Sequence, residues 1–182
     1  MLARPKRYIQ RLLMGCITFS LLLSATSTTL AVTETDAPPC RWDTRSVSYG
    51  WGINAYQGTE YRAAYEQSIP DWNNAGTPIQ FSYSSAGRVL LEIYYQNDNR
   101  SGYAQPYCNG SRTMNYDVFA NNRYKSTDAN RRRAVTGHEL GHANGVGHIG
   151  GTVIALLGNN PDPSRYYIPQ KPDVDLIKQV YP

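Results

Sequence analysis

Residues 138 to 148 read HELGHANGVGH and hold all three histidines of this 182-residue chain. On a helix, residues four apart lie one turn above each other on the same face, so His138 and His142 can present two imidazole nitrogens to one ion. Glu139 lies about 100° further round the helix, near enough to reach a ligand of that ion without binding it. This stretch therefore predicts a helix with a metal site on one face.

The residues after this helix predict a third ligand. Gly145 permits a positive φ, which allows the chain to turn sharply and bring His148 back towards the first two histidines. Three neutral nitrogens around one cation leave a fourth position open for water, as in a catalytic zinc site. The alternative is three histidines that make ordinary hydrogen bonds near a helix end. The coincidence of five specified positions favours the metal site.

The first 31 residues are interpreted as a secretory signal peptide. Four basic residues and no acidic one lie within the first eleven positions. The apolar run that follows, from Leu12 to Ala25, is too short to cross a bilayer comfortably. Cleavage after Ala31 would leave residues 32 to 182 as one secreted domain. An uncleaved membrane anchor is the alternative.

The charge balance argues against a nucleic-acid partner. The chain has 18 Lys and Arg residues and 14 Asp and Glu residues. Because four of the basic residues lie in the signal peptide, fourteen charges of each sign remain after cleavage. The sequence pI of about 9.0 is therefore no evidence for binding to nucleic acid. We also expect no stable association with membranes once the signal peptide is removed.

Two cysteines, Cys40 and Cys108, remain after signal cleavage. Cysteines in secreted chains commonly pair, so a disulfide between them is predicted. Such a bridge would close a long loop and stabilise the fold. Two free, buried thiols are the alternative.

Periodicity in the rest of the chain predicts an α+β domain. Residues 32–45 form an extended leader. Alternating apolar residues predict strands, the fourth confined to a sheet edge by Pro106: residues 47–53, 79–83, 89–95, 102–107 and 114–118. Helical spacing and capping residues predict three helices. The first begins after a cap at Thr59 and ends or kinks at Pro70. The second covers residues 128–143 after a cap at Thr127, and the third covers residues 173–181 after Pro172.

The stretch HELGHANGVGH resembles the HExxHxxGxxH zinc signature of the metzincin metallopeptidases. From residue 47 onward, the order of elements is similar to the small catalytic domain of matrixin-like members. The resemblance implies a small twisted mixed sheet of five strands, an active-site helix, a C-terminal helix and a cleft across the domain. It implies a secreted endopeptidase with one catalytic Zn²⁺, polypeptide substrates, and Glu139 as the general base that acts on a zinc-bound water.

The chain departs from the family pattern in three places. Metzincins carry a methionine beneath the zinc about eight residues after the third histidine, where this chain has Leu156. Leu for Met conserves size and apolarity, so we expect Leu156 to form the floor of the site. Ile149, which follows His148, matches none of the familiar subfamilies. The second, structural zinc of matrixins is not expected, because no further histidine remains to bind it.

Further expectations concern other positions, and the resemblance implies two of them, the latency cysteine and the apolar character of the pocket. Matrixins are kept latent by a cysteine that binds the zinc, and Cys40 is the candidate here if it does not pair with Cys108. Calcium is a second candidate cofactor around Asp98, Asn99 and Asp117, although no loop has a characteristic ligand spacing. An extended substrate is expected along residues 102–107, beside an apolar pocket shaped by residues 158–171.

Two other classes of function stay open at this stage. One is a zinc-bearing binding or effector module that no longer cleaves, which the missing methionine and Ile149 favour and the retention of Glu139 opposes. The other is a surface protein held by an uncleaved N-terminal anchor.

Overall fold

The computed structural model describes residues 31–56 and 59–182. The predicted signal peptide lies, apart from Ala31, outside these residues. The described chain is an α+β fold, as predicted, and its elements follow in this order: β1 (Glu34–Thr35), β2 (Ser46–Trp51), α1 (Glu60–Asn74), β3 (Gln80–Tyr83), β4 (Val89–Tyr94), β5 (Gly102–Asn109), β6 (Arg112–Asn121), α2 (Ala129–His142), β7 (His148–Ile149) and α3 (Lys171–Val180).

Five of the strands form one small mixed sheet, in the order β3-β2-β4-β6-β5. The first four strands run parallel, and β5 pairs antiparallel with β6 at the edge. This confirms the predicted edge strand, where Pro106 removes one backbone donor. The sheet therefore presents one edge beside α2, with which β5 is in contact.

The helices α1 and α2 pack against each other through polar as well as apolar groups. Ser68 Oγ lies 2.8 Å from Thr136 Oγ1, and the Trp72 indole donates a hydrogen bond of 2.8 Å to the Gly137 carbonyl. Trp72 and Leu140 are fully buried in the core between them. These contacts fix α2, the helix predicted to carry the metal site, against α1. No α-helix in the described part of the chain combines the length and apolar composition that crossing a lipid bilayer requires.

An end or a kink of α1 was predicted at Pro70, and an end there is wrong, because the helix continues to Asn74. Proline inside a helix costs about 3 kcal/mol, so tertiary contacts must offset this cost. Trp72 provides one of them. Asn73 provides another: its side chain accepts a hydrogen bond from the Phe81 N–H and donates one to the Phe81 carbonyl, both 2.8 Å long.

Two helix starts also differ from the predictions. Asp128, not Thr127, caps α2, because its carboxylate accepts a hydrogen bond of 2.8 Å from the Asn130 N–H. The helix α3 begins at Lys171, two residues before the predicted start. Pro172 fits the first turn of α3, since the N–H that it lacks would have no partner there.

The predicted extended leader is instead anchored to the domain, and we name residues 33–42 the N-terminal strap. Within it, β1 pairs antiparallel with β7, and Cys40 forms the predicted disulfide with Cys108 of β5. Trp42 is buried and its indole donates a hydrogen bond of 2.7 Å to the Ala143 carbonyl at the end of α2. The alternative of two free thiols is therefore excluded, and Cys40 is not available to bind a metal ion.

Candidate metal and active site

The three predicted histidines come together at the C-terminal end of α2. His138 and His142 lie one turn apart on this helix, with their Nε2 atoms 3.2 Å from each other. Gly145 then has a φ of +79°, which reverses the chain and leads it to His148 in β7. One ligand atom from each histidine lies within 4.8 Å of the other two.

Backbone carbonyls set the tautomers of the two helical histidines. Nδ1 of His138 lies 2.5 Å from the Leu156 carbonyl oxygen, and Nδ1 of His142 lies 3.0 Å from that of Val146. A carbonyl oxygen can only accept, so both Nδ1 atoms carry the hydrogen and both Nε2 atoms carry a lone pair. Burial lowers the pKa of His138 to about 4 and that of His142 to about 3, so both rings are neutral at pH 7.

This donor set fits a zinc ion. Two bare Nε2 lone pairs at 3.2 Å repel each other and cannot share a proton between neutral rings, but both can point at one cation. Two nitrogens bound tetrahedrally to zinc at 2.0–2.1 Å would lie about 3.4 Å apart, close to the separation found here. His148 adds a third nitrogen from β7, an element outside the helix.

Glu139 lies beside the histidines and against the edge strand. Glu139 is buried, with 8% of its surface exposed, and a Cβ on Gly102 of β5 would fall 2.7 Å from its Cγ. Burial raises the pKa of Glu139 to about 8, and the positive charge of Arg100 partly opposes this rise. A carboxyl group with a pKa near neutrality, beside three nitrogen donors, is suited to taking up and releasing a proton.

The site opens into a cleft with two cavities, both bordered by His138, Glu139 and His148. One, of about 380 Å³, exposes mainly apolar surface, and its further lining residues are the following: Arg100, Ser101, Gly102, Ala134, Val135, Leu156, Gly158, Asn160 and Pro163. The other, of about 430 Å³, lies between residues 36–39 of the strap and β5. Both stretches that were expected to bind substrate, residues 102–107 and 158–171, therefore border the cleft.

Leu156 lies beside the histidines, at the position where it was expected. Its side chain is buried against α2 at Gly137, and its carbonyl is the partner of His138 described above. The turn that contains Leu156 is held by Asp173 of α3, whose carboxylate accepts hydrogen bonds from the Leu156 and Leu157 N–H groups at 2.9 and 2.8 Å.

Sequence reasoning missed the residues that support this site from a distance. Asp173 could have been found, since a carboxylate three residues after a helix cap is a capping-box signal. Glu34 and Arg41, which bind the loop before His148, give no such signal, because their partners lie more than 100 positions away in the chain.

The expected calcium site is not supported. The Asp98 carboxylate already accepts hydrogen bonds from the Tyr94 hydroxyl, the Arg100 backbone N–H and the Asn121 amide, at 3.0 to 3.1 Å. Asp117 accepts one from the Tyr107 hydroxyl at 2.9 Å. Protein donors thus occupy both carboxylate oxygens of Asp98 and one of Asp117.

Comparison with known proteins gave one family. Residues 47–179 match the model of the Streptomyces extracellular neutral proteinase (M7) family, a stretch that runs from β2 to α3 and includes all three histidines and Glu139. The N-terminal strap precedes the matched stretch. A search among curated proteins found no match to this chain.

Proposed function

Because this chain belongs to the Streptomyces extracellular neutral proteinase family, we propose that it is a secreted zinc endopeptidase in which His138, His142 and His148 hold the metal and Glu139 is the general base. Membership of this family makes it a metallopeptidase of an extracellular class, with polypeptides as substrates. The assignment of the metal ligands and of the base rests on the site, and the likeness to matrixin-like metzincins rests on the HExxHxxGxxH spacing and the fold.

The observation that carries the proposal is the pair of Nε2 lone pairs 3.2 Å apart, beside a buried carboxyl group in an open cleft. When bound there, zinc supplies Lewis acidity, which makes water a better nucleophile and polarises a carbonyl group. The two backbone carbonyls behind His138 and His142 keep the rings oriented and their Nε2 atoms directed at the site.

Glu139 moves the proton in this proposal. Its carboxylate takes a proton from the attacking water and gives it to the amine nitrogen when the peptide bond breaks. The apolar surroundings raise its pKa to about 8 in the metal-free protein. A cation held by the three histidines would lower this pKa towards neutrality, where the carboxylate can take up and release a proton. Arg100, which lines both cavities, supplies a positive charge that acts on Glu139.

The substrate is an extended polypeptide that pairs with the edge strand β5. Edge strands have unpaired backbone groups on their outer side, which can add a further strand. A side chain of the substrate then enters the cavity bordered by Ala134, Val135 and Pro163, and the mainly apolar lining of this cavity favours an apolar residue there.

Glu139→Ala tests the proposal. We expect casein hydrolysis to fall by a factor of about 10² to 10⁴, with zinc content unchanged at one ion per chain. Glu66→Ala, which removes an exposed glutamate from α1, is the matched control and should keep full activity. Zinc binding by a wild-type protein that cleaves no substrate would instead support the non-catalytic binding module.

Chelation and processing give two further checks. 1,10-Phenanthroline should abolish hydrolysis and added zinc should restore it, whereas indifference to the chelator would refute any role for a metal. The secretion proposal requires that the exported protein begins at Val32, and intact-mass spectrometry of the culture medium would show an uncleaved N-terminus if this is wrong.

A further inference from the structure

The N-terminal strap lies across the loop that joins the second histidine to the third. Thr35 of β1 pairs with His148, and the Gly150 N–H donates a hydrogen bond of 2.9 Å to the Thr33 carbonyl. At Gly147 the contact is so close that a Cβ would fall 2.2 Å from the Thr35 carbonyl oxygen. The backbone that carries the third histidine is therefore paired directly with the strap.

Two charged side chains of the strap hold the same loop. One oxygen of Glu34 accepts a hydrogen bond of 2.6 Å from the Gly147 N–H, and the other accepts one of 2.8 Å from the Arg41 guanidinium. Arg41 in turn donates a hydrogen bond to the Gly145 carbonyl. Glu34 and Arg41 thus bind the loop at two points, on either side of Val146, whose carbonyl orients His142.

This ion pair differs from an ordinary surface pair. The side chains of Glu34 and Arg41 are only 15% and 29% exposed, so solvent screens them little. Each group also bonds the loop backbone, so removing either leaves a shielded partner without its hydrogen bond. The strap is further fixed at Cys40 and Trp42, which limits how far Arg41 can move.

We propose that the N-terminal strap is part of the metal centre, and that Glu34 and Arg41 are positioning residues that place His148 and the Val146 carbonyl for metal binding. The inference rests on the zinc site proposed above. It identifies further residues of the site in a part of the chain that precedes the stretch matched by the family model. Residues that orient metal ligands commonly contribute a factor of 10 to 100 to metal affinity.

The test is zinc affinity, measured by competition with a chromophoric chelator on the full secreted chain. Glu34→Ala and Arg41→Ala should each weaken zinc binding about 10- to 100-fold. The double variant should lose little more than either single variant, because the two residues act as one unit. Glu34→Gln keeps an oxygen for the Gly147 N–H and should give an intermediate affinity. Glu66→Ala, which breaks the Arg62–Glu66 pair on α1, is the matched control and should leave the affinity unchanged.

A second measurement separates positioning from stability. The cobalt-loaded protein should show an altered visible d–d spectrum in Glu34→Ala, and thermal unfolding of the metal-free variant should show that it is still folded at the assay temperature. A folded Glu34→Ala with wild-type zinc affinity and an unchanged cobalt spectrum would overturn the inference and leave the proposed function intact. Failure of the wild type to bind zinc would instead refute the metal centre itself.

Discussion

The carbonyl oxygen of Leu156 lies 2.5 Å from Nδ1 of His138, so the turn beneath the site orients the first histidine through its backbone. Any side chain that keeps this turn in place can support His138 equally well. This explains how Leu156 can support His138 where the metzincin resemblance leads one to expect a methionine: the side chain is apolar and buried, and the hydrogen bond belongs to the main chain.

Asp173→Ala should weaken both the fold and the metal site. The buried carboxylate of Asp173 accepts hydrogen bonds from the N–H groups of Leu156, Leu157 and Gln170, and the variant leaves all three without an acceptor. We expect the free energy of unfolding to fall by about 3 kcal/mol or more, and zinc affinity to fall with it, as measured by urea titration and chelator competition. Asp175→Ala on the same helix, which breaks only the i,i+4 pair with Lys171, should cost less than about 0.5 kcal/mol. Equal losses in the two variants would contradict this account.

Gly145→Ala should be more destabilising than its backbone conformation alone explains. The φ of +79° costs a residue with a side chain about 1–2 kcal/mol. In addition, a Cβ would fall 2.3 Å from the hydroxyl of Tyr181, which accepts a hydrogen bond from the Trp42 N–H of the strap. We therefore expect the free energy of unfolding to fall by more than about 2 kcal/mol and zinc to bind more weakly.

Gly76→Ala is the matched control for this prediction. Gly76 has a φ of +80°, and no atom lies within 4 Å of the position of its Cβ, so the variant reports the backbone cost alone. Denaturant unfolding of the two variants gives the difference that Tyr181 causes. If both variants lose the same free energy of unfolding, the Tyr181 side chain can move aside without an energetic cost, and its close contact with Gly145 does not affect stability.

Removing the disulfide should destabilise the protein markedly. Cys40 and Cys108 are 68 positions apart, and a loop of this length corresponds to a stabilisation of about 4 kcal/mol in the chain-entropy model. We expect the free energy of unfolding of the double variant Cys40→Ala/Cys108→Ala, measured by urea titration, to be lower by this amount. Dithiothreitol should lower the stability of the wild type towards that of the double variant and leave the double variant unchanged. A reductant effect on the double variant would show that some other process is being measured.

Local patterns account for what the sequence could predict. The helix of the histidines, the turn at Gly145 and the edge strand containing Pro106 each follow from residues within a few positions of one another. The disulfide was predictable from cysteine count and secretion. The end of α1 was not, because tertiary contacts of Trp72 and Asn73 offset the local preference of Pro70 to end a helix.

The strap shows why the rest was not predictable. Its strand β1 is two residues long, too short for a period of two to be recognised. Glu34 and Arg41 bind main-chain groups at Gly147 and Gly145. Because almost every residue type has these main-chain groups, the sequence contains no pattern that identifies the two partners. The residues that support the site can therefore be identified only from the whole fold, whereas the three proposed ligands can be predicted from one short stretch of sequence.

The metal-free protein should lose stability in acid through its buried histidines. The unfolded chain protonates histidine near pH 6.5, whereas burial lowers the pKa of His138 to about 4 and that of His142 to about 3. Between these values the unfolded state binds more protons than the folded state, so stability falls as the pH decreases from 6.5. Each histidine contributes about 1.4 kcal/mol per pH unit within its range. Urea unfolding of chelator-treated protein at pH 6.5 and pH 5 measures this loss, and equal stability at the two values would contradict it.

Glu139 should impose the opposite dependence between pH 4.5 and pH 8, so below pH 6.5 it offsets about half of the effect of the two histidines. Burial raises its pKa from 4.5 to about 8, so the folded metal-free protein holds a proton that the unfolded chain has already released. Stability is then lost as the pH rises towards 8, again by about 1.4 kcal/mol per unit, and the metal-free protein should be most stable near pH 6.5. Glu139→Gln cannot ionise, so its unfolding free energy should stay level between pH 6.5 and pH 8 where that of the wild type falls. Parallel curves for the two proteins would mean that Glu139 is ionised in the folded state at neutral pH, and that the apolar surroundings do not set its proton affinity.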